Sequence, residues 1–312
     1  MRKSLIVLSV IVSSLIIVSC ATKPKFTNPG WTELMWGIGK NDPDFDQFKD
    51  MKKVALLPHF YYVPASVIQI ASKEISISAM YMSNTEITNA QYLFFLNLNT
   101  TLPADISIYI DVDAPTCRIK KDKGKYSVEE GFENHPVVHV SHLGCTEYCL
   151  WLSDWNNKKL EDIGMHPNPN FRLPTYFEWN LAAFQTSPAD TNSPRNYDEP
   201  HPLDEYAWYQ SNSMNELHKV AQKKSTDILL YDLKGNAAEW VDDVDGRDYI
   251  TGDFYNPSNF LNDSASVCGG SYKSTSDELA YYANRTLAKT TQRSDIGFRI
   301  CKSVFTRSMG EF

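Results

Sequence analysis

Tyr231-Asp232-Leu233-Lys234-Gly235-Asn236-Ala237-Ala238-Glu239-Trp240 is the stretch on which the fold of this chain turns. Gly235 permits a positive φ or a close backbone approach, and Trp240 supplies a large apolar surface that can lock a long loop. Outward from it, the same ingredients recur in Gly269-Gly270-Ser271-Tyr272, in Gly297-Phe298-Arg299 and, upstream, in Arg172-Leu173-Pro174-Thr175 with Glu178-Trp179. Arg172 and Arg299 each bring five N–H donors with which to pin carbonyls or carboxylates inside a loop-built core. The glycines, tryptophans and arginines of these phrases therefore read as structural parts rather than as catalysts.

Between the phrases, helices announce themselves by their caps. Thr88-Asn89-Ala90-Gln91 and Thr175-Tyr176-Phe177-Glu178 both have capping-box spacing ahead of apolar residues. Ser141 is placed to cap a helix whose buried stripe is Cys145, Tyr148, Cys149, Leu152 and Trp155. Val54–Leu57, Tyr61–Val63 and Pro136–Val140 read as short strands, and the rest is rich in turns. The expected class is α+β, with short helices, short strands and long ordered loops.

Together with Glu86-Ile87-Thr88-Asn89, His135-Pro136-Val137-Val138 and Tyr148-Cys149-Leu150-Trp151, these phrases resemble, in order, the formylglycine-generating-enzyme or sulfatase-modifying-factor family. The likeness covers roughly residues 53–303. It implies that family's fold, which is related to C-type lectins. In the copper-dependent members two cysteines after the Gly-Gly-Ser phrase carry oxygen chemistry, because thiolates hold Cu(I). Here those positions are Ser274 and Leu279, and no cysteine lies between Gly270 and Gly297. Formylglycine generation is expected to be lost, and no redox cofactor is expected. His135, His139 and His142 are the nearest candidates for another metal site, with His135 and His139 sharing a strand face and His142 opposite, though half-buried histidines of a turn-rich strand are the plainer reading.

The resemblance also implies one structural calcium. Its ligands would be the carboxylates of Asp232 and Glu239 and the carbonyls of Gly235 and Ala237, a hard-oxygen set that suits the ion. The plainer alternative has Asp232 capping a turn and Glu239 pairing with a basic side chain. The family further pairs a cysteine of its Tyr-Cys helix with one after Gly-Phe-Arg, which here gives Cys149 and Cys301. Cys301 stands one residue late, and in a strand that offset turns a side chain to the opposite face.

The two ends carry a different message. Arg2 and Lys3, the apolar run Leu5–Val18 and then Ser19-Cys20-Ala21 read as a lipoprotein signal, too short to span a bilayer, with Cys20 acylated and first in the mature chain. The expected organisation is a signal at 1–19, a lipidated Cys20 and arm over 20–52, a domain over 53–303 and a tail over 304–312. The formal charge of −8, with no long basic run, argues against nucleic acid as a partner. Five cysteines besides Cys20 leave at least one unpaired. Cys145 and Cys149 share a helix face, as core residues or as partners of separate bridges.

A lipid anchor on such a domain, and the run from Gly269-Gly270-Ser271-Tyr272-Lys273 through Arg285-Thr286 to Gly297-Phe298-Arg299, resemble the lipoproteins of gliding motility and type IX secretion. The resemblance implies a non-catalytic scaffold on the outer membrane, facing the periplasm and bound to other cell-envelope proteins. This chain lacks their arginine before Gly269, where Cys268 stands, and their early Met-Gly-Ser phrase. Two alternatives are a lectin-like module that binds a ligand through Lys273–Thr291, and a formylglycine-generating-type or metal-dependent oxidoreductase with an unfamiliar site.

Overall fold

The computed structural model describes residues 55–70, 73–162, 164, 171–184, 203–244, 263–280 and 284–304. Cys20, the signal, the arm before residue 55 and the tail from 305 lie outside the described residues. Strands β1 (Phe60–Val63), β4 (Met80–Ser83) and β11 (Cys301–Ser303) form one antiparallel sheet in the order β1-β4-β11. A second sheet has the order β10-β7-β8-β9, from β7 (Ala238–Trp240), β8 (Ser264–Cys268), β9 (Arg285–Ala288) and β10 (Ile296–Phe298). The β10–β7 pair is parallel and the other two are antiparallel. Hairpins β2–β3 (Ser66–Ile70, Lys73–Ile77) and β5–β6 (Ile119–Asp122, Lys125–Val128) complete the strands.

Helices start where the sequence places their caps. In α1 (Asn89–Leu98) the Thr88 hydroxyl accepts from the Gln91 N–H at 3.3 Å, and the Gln91 side chain accepts from the Thr88 N–H at 3.0 Å. The Ser141 hydroxyl accepts from the Gly144 N–H at 3.0 Å and opens α2 (His142–Asp162). In α3 (Tyr176–Phe184) Thr175 and Glu178 make the same reciprocal pair, at 3.3 and 2.9 Å. Each device satisfies N–H groups that no helical turn reaches. Two short helices, α4 (Leu203–Tyr206) and α5 (Ser276–Ala280), follow.

Two strand readings change. Ala55–Leu57 is not a strand; Leu56 and Leu57 pack instead on the core. Pro136–Val140 makes only isolated bridges, Thr88↔Pro136 and Ile110↔Val140. Pro136 has no N–H to give a ladder, and His139 sits at φ 61°, which breaks the extended run between them.

One buried cluster joins the expected stripe of α2 to Tyr92, Phe95 and Phe298; Tyr92 stacks on Tyr148 with centroids 5.7 Å apart. The other gathers Trp179, Phe177, Met80, Met82, Cys268 and Cys301. Each fully buried aromatic removes enough surface to contribute about 1.5–3 kcal/mol. The Tyr231–Trp240 turn runs between these clusters. Gly235, at φ 76°, lies so close to the Trp208 carbonyl that any Cβ would collide with it.

Candidate functional site

Arg299 ends the Gly297-Phe298-Arg299 phrase just beyond β10 and is completely buried. Its Nε donates to Glu239 Oε2 and its Nη2 to Glu239 Oε1, both at 2.6 Å. Further bonds run from Nη2 to the Tyr231 carbonyl at 2.8 Å and from Nη1 to the Ser83 carbonyl at 3.3 Å. The Trp179 indole N–H also donates to Glu239 Oε2, at 2.6 Å. One guanidinium thus ties β4, the Tyr231 turn and β7 together. Burial works against its charge, but Glu239 outweighs burial and raises the Arg299 pKa.

Two more carboxylates face this knot. Glu86, fully buried, accepts from the Ala237 N–H at 2.8 Å and the Asn236 side chain at 3.0 Å. Asn236 in turn accepts from the His218 N–H at 2.9 Å. Burial, with the charges of Asp232 and Glu239 behind it, pushes the Glu86 carboxyl well above the usual range. Asp232 sits at φ 56° and accepts from the Ala221 N–H at 2.7 Å, while its Oδ1 is buried without a hydrogen-bond partner. Burial raises its pKa to about 6. Glu86 and Asn236 were visible in the sequence only as motif letters. An acid set among Asn84, Thr85 and Thr88 carries no local sign that long-range contacts will bury it.

Of the expected calcium ligands, the carboxylates of Asp232 and Glu239 both act on Arg299. Glu239, expected as a ligand, spends both oxygens on Arg299 and Trp179, as the plainer reading had it. Asp232 alone of the expected carboxylates keeps a buried oxygen that a hard cation would fit. Among the described residues no three His, Cys, Asp or Glu side chains gather as a metal group.

Arg172 and Glu178 form a second fork, with bonds of 2.6 and 2.7 Å, but Arg172 is a third exposed. The backbone of Arg172 bridges Cys301, and the two exchange bonds of 2.9 and 2.8 Å. The expected Cys149–Cys301 bridge is not formed: both are free, buried thiols. Cys149 belongs to the α2 stripe and Cys301 to the Trp179 cluster, and the two thiols lie as neighbours where the clusters meet. Burial, and then the neighbouring Cys301, raises the Cys149 pKa well above that of a free thiol, so neither is a ready nucleophile. Cys117, Cys145 and Cys268 are buried as well, the first two as free thiols.

The histidines do not converge. His139 Nε2 lies 2.7 Å from the Thr116 hydroxyl. His135 packs on Phe132, centroids 4.7 Å apart. His142 starts α2, edge-on to Trp240, with Nε2 at 3.8 Å from Asp242 Oδ1. Burial first, then Lys289, lowers its pKa to about 4.

At the position where oxygen chemistry was sought, Ser274 and Leu279 do come together, over Gly270. Gly270 has φ 67°, and a Cβ there would run into Leu279 and stand 3.0 Å from the Ser274 hydroxyl. The Ser274 hydroxyl accepts from the Ser271 N–H at 3.1 Å. Leu279 is fully buried with Ala207 and Tyr209. The place is packed with apolar groups and one satisfied hydroxyl, and it offers no thiolate.

Similarity to known proteins agrees with this geometry. Two solved structures share the fold: CarF, 21% identical over 80% of this chain and 100% of its own, TM-score 0.57, and PvdO from Pseudomonas aeruginosa, 15% identical over 80% and 95%, TM-score 0.59. Treponema denticola variable protein 1 is 24% identical over 78% of this chain and 95% of its own, with a TM-score of 0.55. Among curated relatives, the serine/threonine-protein kinase Pkn1 of Chlamydia trachomatis serovar L2 is 24% identical over 242 residues, which are 74% of this chain and 34% of the relative. The corresponding kinase of Chlamydia caviae is 24% identical over 236 residues, with the same shares. The chain thus spans about a third of the length of the curated relatives it matches. Residues 47–304 match the sulfatase-modifying factor enzyme 1-like domain, and with the Arg299–Glu239–Trp179 knot holding its motifs together the chain belongs to that family.

Proposed function

We propose that this chain is a non-catalytic, lipid-anchored interaction protein of a cell-envelope assembly, of the gliding-motility or type IX secretion kind. The observation that carries the reading is the closed position at Gly270, where Leu279 and Ser274 fill the place that thiolates occupy in copper-dependent members. A domain that keeps the family's core and fills its reactive position with packing is suited to present surfaces to partners. The anchor is Cys20, with the domain on the periplasmic face of the outer membrane.

Two experiments test it. Fractionation of cells expressing wild type and Cys20→Ala should find the first in the outer membrane and the second released from it; equal distribution removes the anchor. Oxygen uptake by the copper-loaded protein with a cysteine-containing peptide should not exceed that of peptide and copper alone. Sustained turnover would restore the enzyme reading. A single calcium on Asp232 belongs to the same proposal. Melting that shifts down in a chelator supports it, and an unchanged midpoint removes it.

A further inference from the structure

β9 is the outermost strand of its sheet, and its register sets Thr286 opposite Ser266. Ser266 spends its own backbone groups on the other side: its N–H donates to the Asp243 carbonyl at 2.8 Å and its carbonyl accepts from the Val241 N–H at 3.0 Å. Lys289 N–H reaches the Asp263 carbonyl at 2.8 Å, which places the hydrogen-bonded pairs of β8–β9 at Lys289, Leu287 and Arg285. In an antiparallel ladder the residues between them point their N–H and C=O groups outward. The Thr286 and Ser266 hydroxyls stand 3.3 Å apart, the close approach of a non-hydrogen-bonded pair. The N–H and C=O of Thr286 and the N–H of Ala288 therefore face away from the sheet, at two exposed residues. The Ala288 carbonyl is already closed by the Thr291 N–H at 2.9 Å.

This edge is basic in an acidic chain. Ala280 to Ser294 contains Arg285, Lys289 and Arg293 and no Asp or Glu, although the whole chain has 38 acidic residues against 30 Lys and Arg. Lys273 joins the group, with its Nζ 2.8 Å from the Ser294 hydroxyl. Among the described residues the counter-charges include the buried Asp295, which Arg293 grips with bonds of 2.9 and 3.0 Å, leaving Arg285 at 3.7 Å, and Asp242, which Lys289 faces. Arg285 opens the strand, and Lys289 stands in the turn just after it. A second copy of the chain would bring basic edge against basic edge and be repelled, which is how proteins guard such edges from self-pairing.

We propose that the free edge of β9 docks an extended acidic segment of a partner polypeptide, which adds to the sheet as a further strand. Main-chain bonds at Thr286 and Ala288 supply the pairing, and Arg285, exposed in the strand itself, selects an acidic sequence. The proposal deepens the interaction role given above and rests on it for its biological setting, though not for its geometry.

The test uses the full chain in detergent and two labelled decapeptides, alternating Glu-Val and alternating Lys-Val. Fluorescence anisotropy should show the acidic peptide binding and the basic one not, with hydrogen exchange slowed at the Thr286 and Ala288 amides. Arg285→Glu should weaken binding about tenfold or more. Thr286→Pro should abolish it at an unchanged melting temperature; if that variant misfolds, the charge reversal decides. Equal binding of both peptides, or binding without protection at Thr286 and Ala288, overturns the proposal. Protection that appears with protein concentration alone makes the occupant a second copy and also overturns it. A membrane assembly that survives Thr286→Pro intact sinks the edge while sparing the interaction role.

Discussion

Two arginine–carboxylate forks of nearly the same geometry stand in this domain, Arg299–Glu239 and Arg172–Glu178. Their bonds are of equal length, but the first pair is 0% and 1% exposed and the second 34% and 8%. The difference teaches that burial, rather than bond length, sets what such a fork is worth. Removing Arg299 leaves Glu239 as an uncompensated buried charge beside the carboxyls of Glu86 and Asp232. Removing Arg172 leaves Glu178 still accepting from the Thr175 N–H as part of a helix cap.

Arg299→Ala should therefore cost about 3–5 kcal/mol, which is a large part of the stability of a domain of this size, and calorimetry should find it largely unfolded. Melting like wild type would break the comparison at its stronger end. Leu279→Ala comes next, at about 2–4 kcal/mol, because it opens a cavity over Gly270. A smaller loss would mean that the closed position collapses or takes in water. The effect of pH on His142 follows. Its folded-state pKa of about 4 lies below the ordinary 6.5, so the stability it contributes is present above pH 6.5 and is lost as pH falls towards 4. Denaturation midpoints should fall by up to about 3 kcal/mol equivalent over that window, and His142→Phe should flatten the slope. Arg172→Ala should be the mildest, at about 1 kcal/mol, measured by urea denaturation. A loss equal to that of Arg299→Ala would show that exposure does not separate the forks.

Sequence reading reached the helices because their signals are local: Thr88 with Gln91 and Thr175 with Glu178 lie three residues apart and close their own turns. It also read Arg299 and Trp179 as structural residues, Glu239 as a calcium ligand or the partner of a basic side chain, and Ser274 with Leu279 as positions that lack the family's cysteines. Their geometry was hidden. That Glu239 takes Arg299 and the Trp179 indole depends on contacts 60 residues apart, and the bond from Asn236 to Glu86 spans 150. The strand read at Pro136–Val140 failed on the φ of His139, a backbone state that its letter does not advertise. Cys149 and Cys301 lie near each other as free thiols, Cys301 opposite Met82 in its sheet.

We propose that a core built from the family's motifs here serves association with envelope proteins. The most direct measurement is gentle detergent extraction of the native protein from its membrane, followed by size analysis and mass spectrometry of what co-elutes. A large assembly of fixed stoichiometry, containing other envelope proteins, is the expected result. A lone monomer that recruits nothing would contradict the claim.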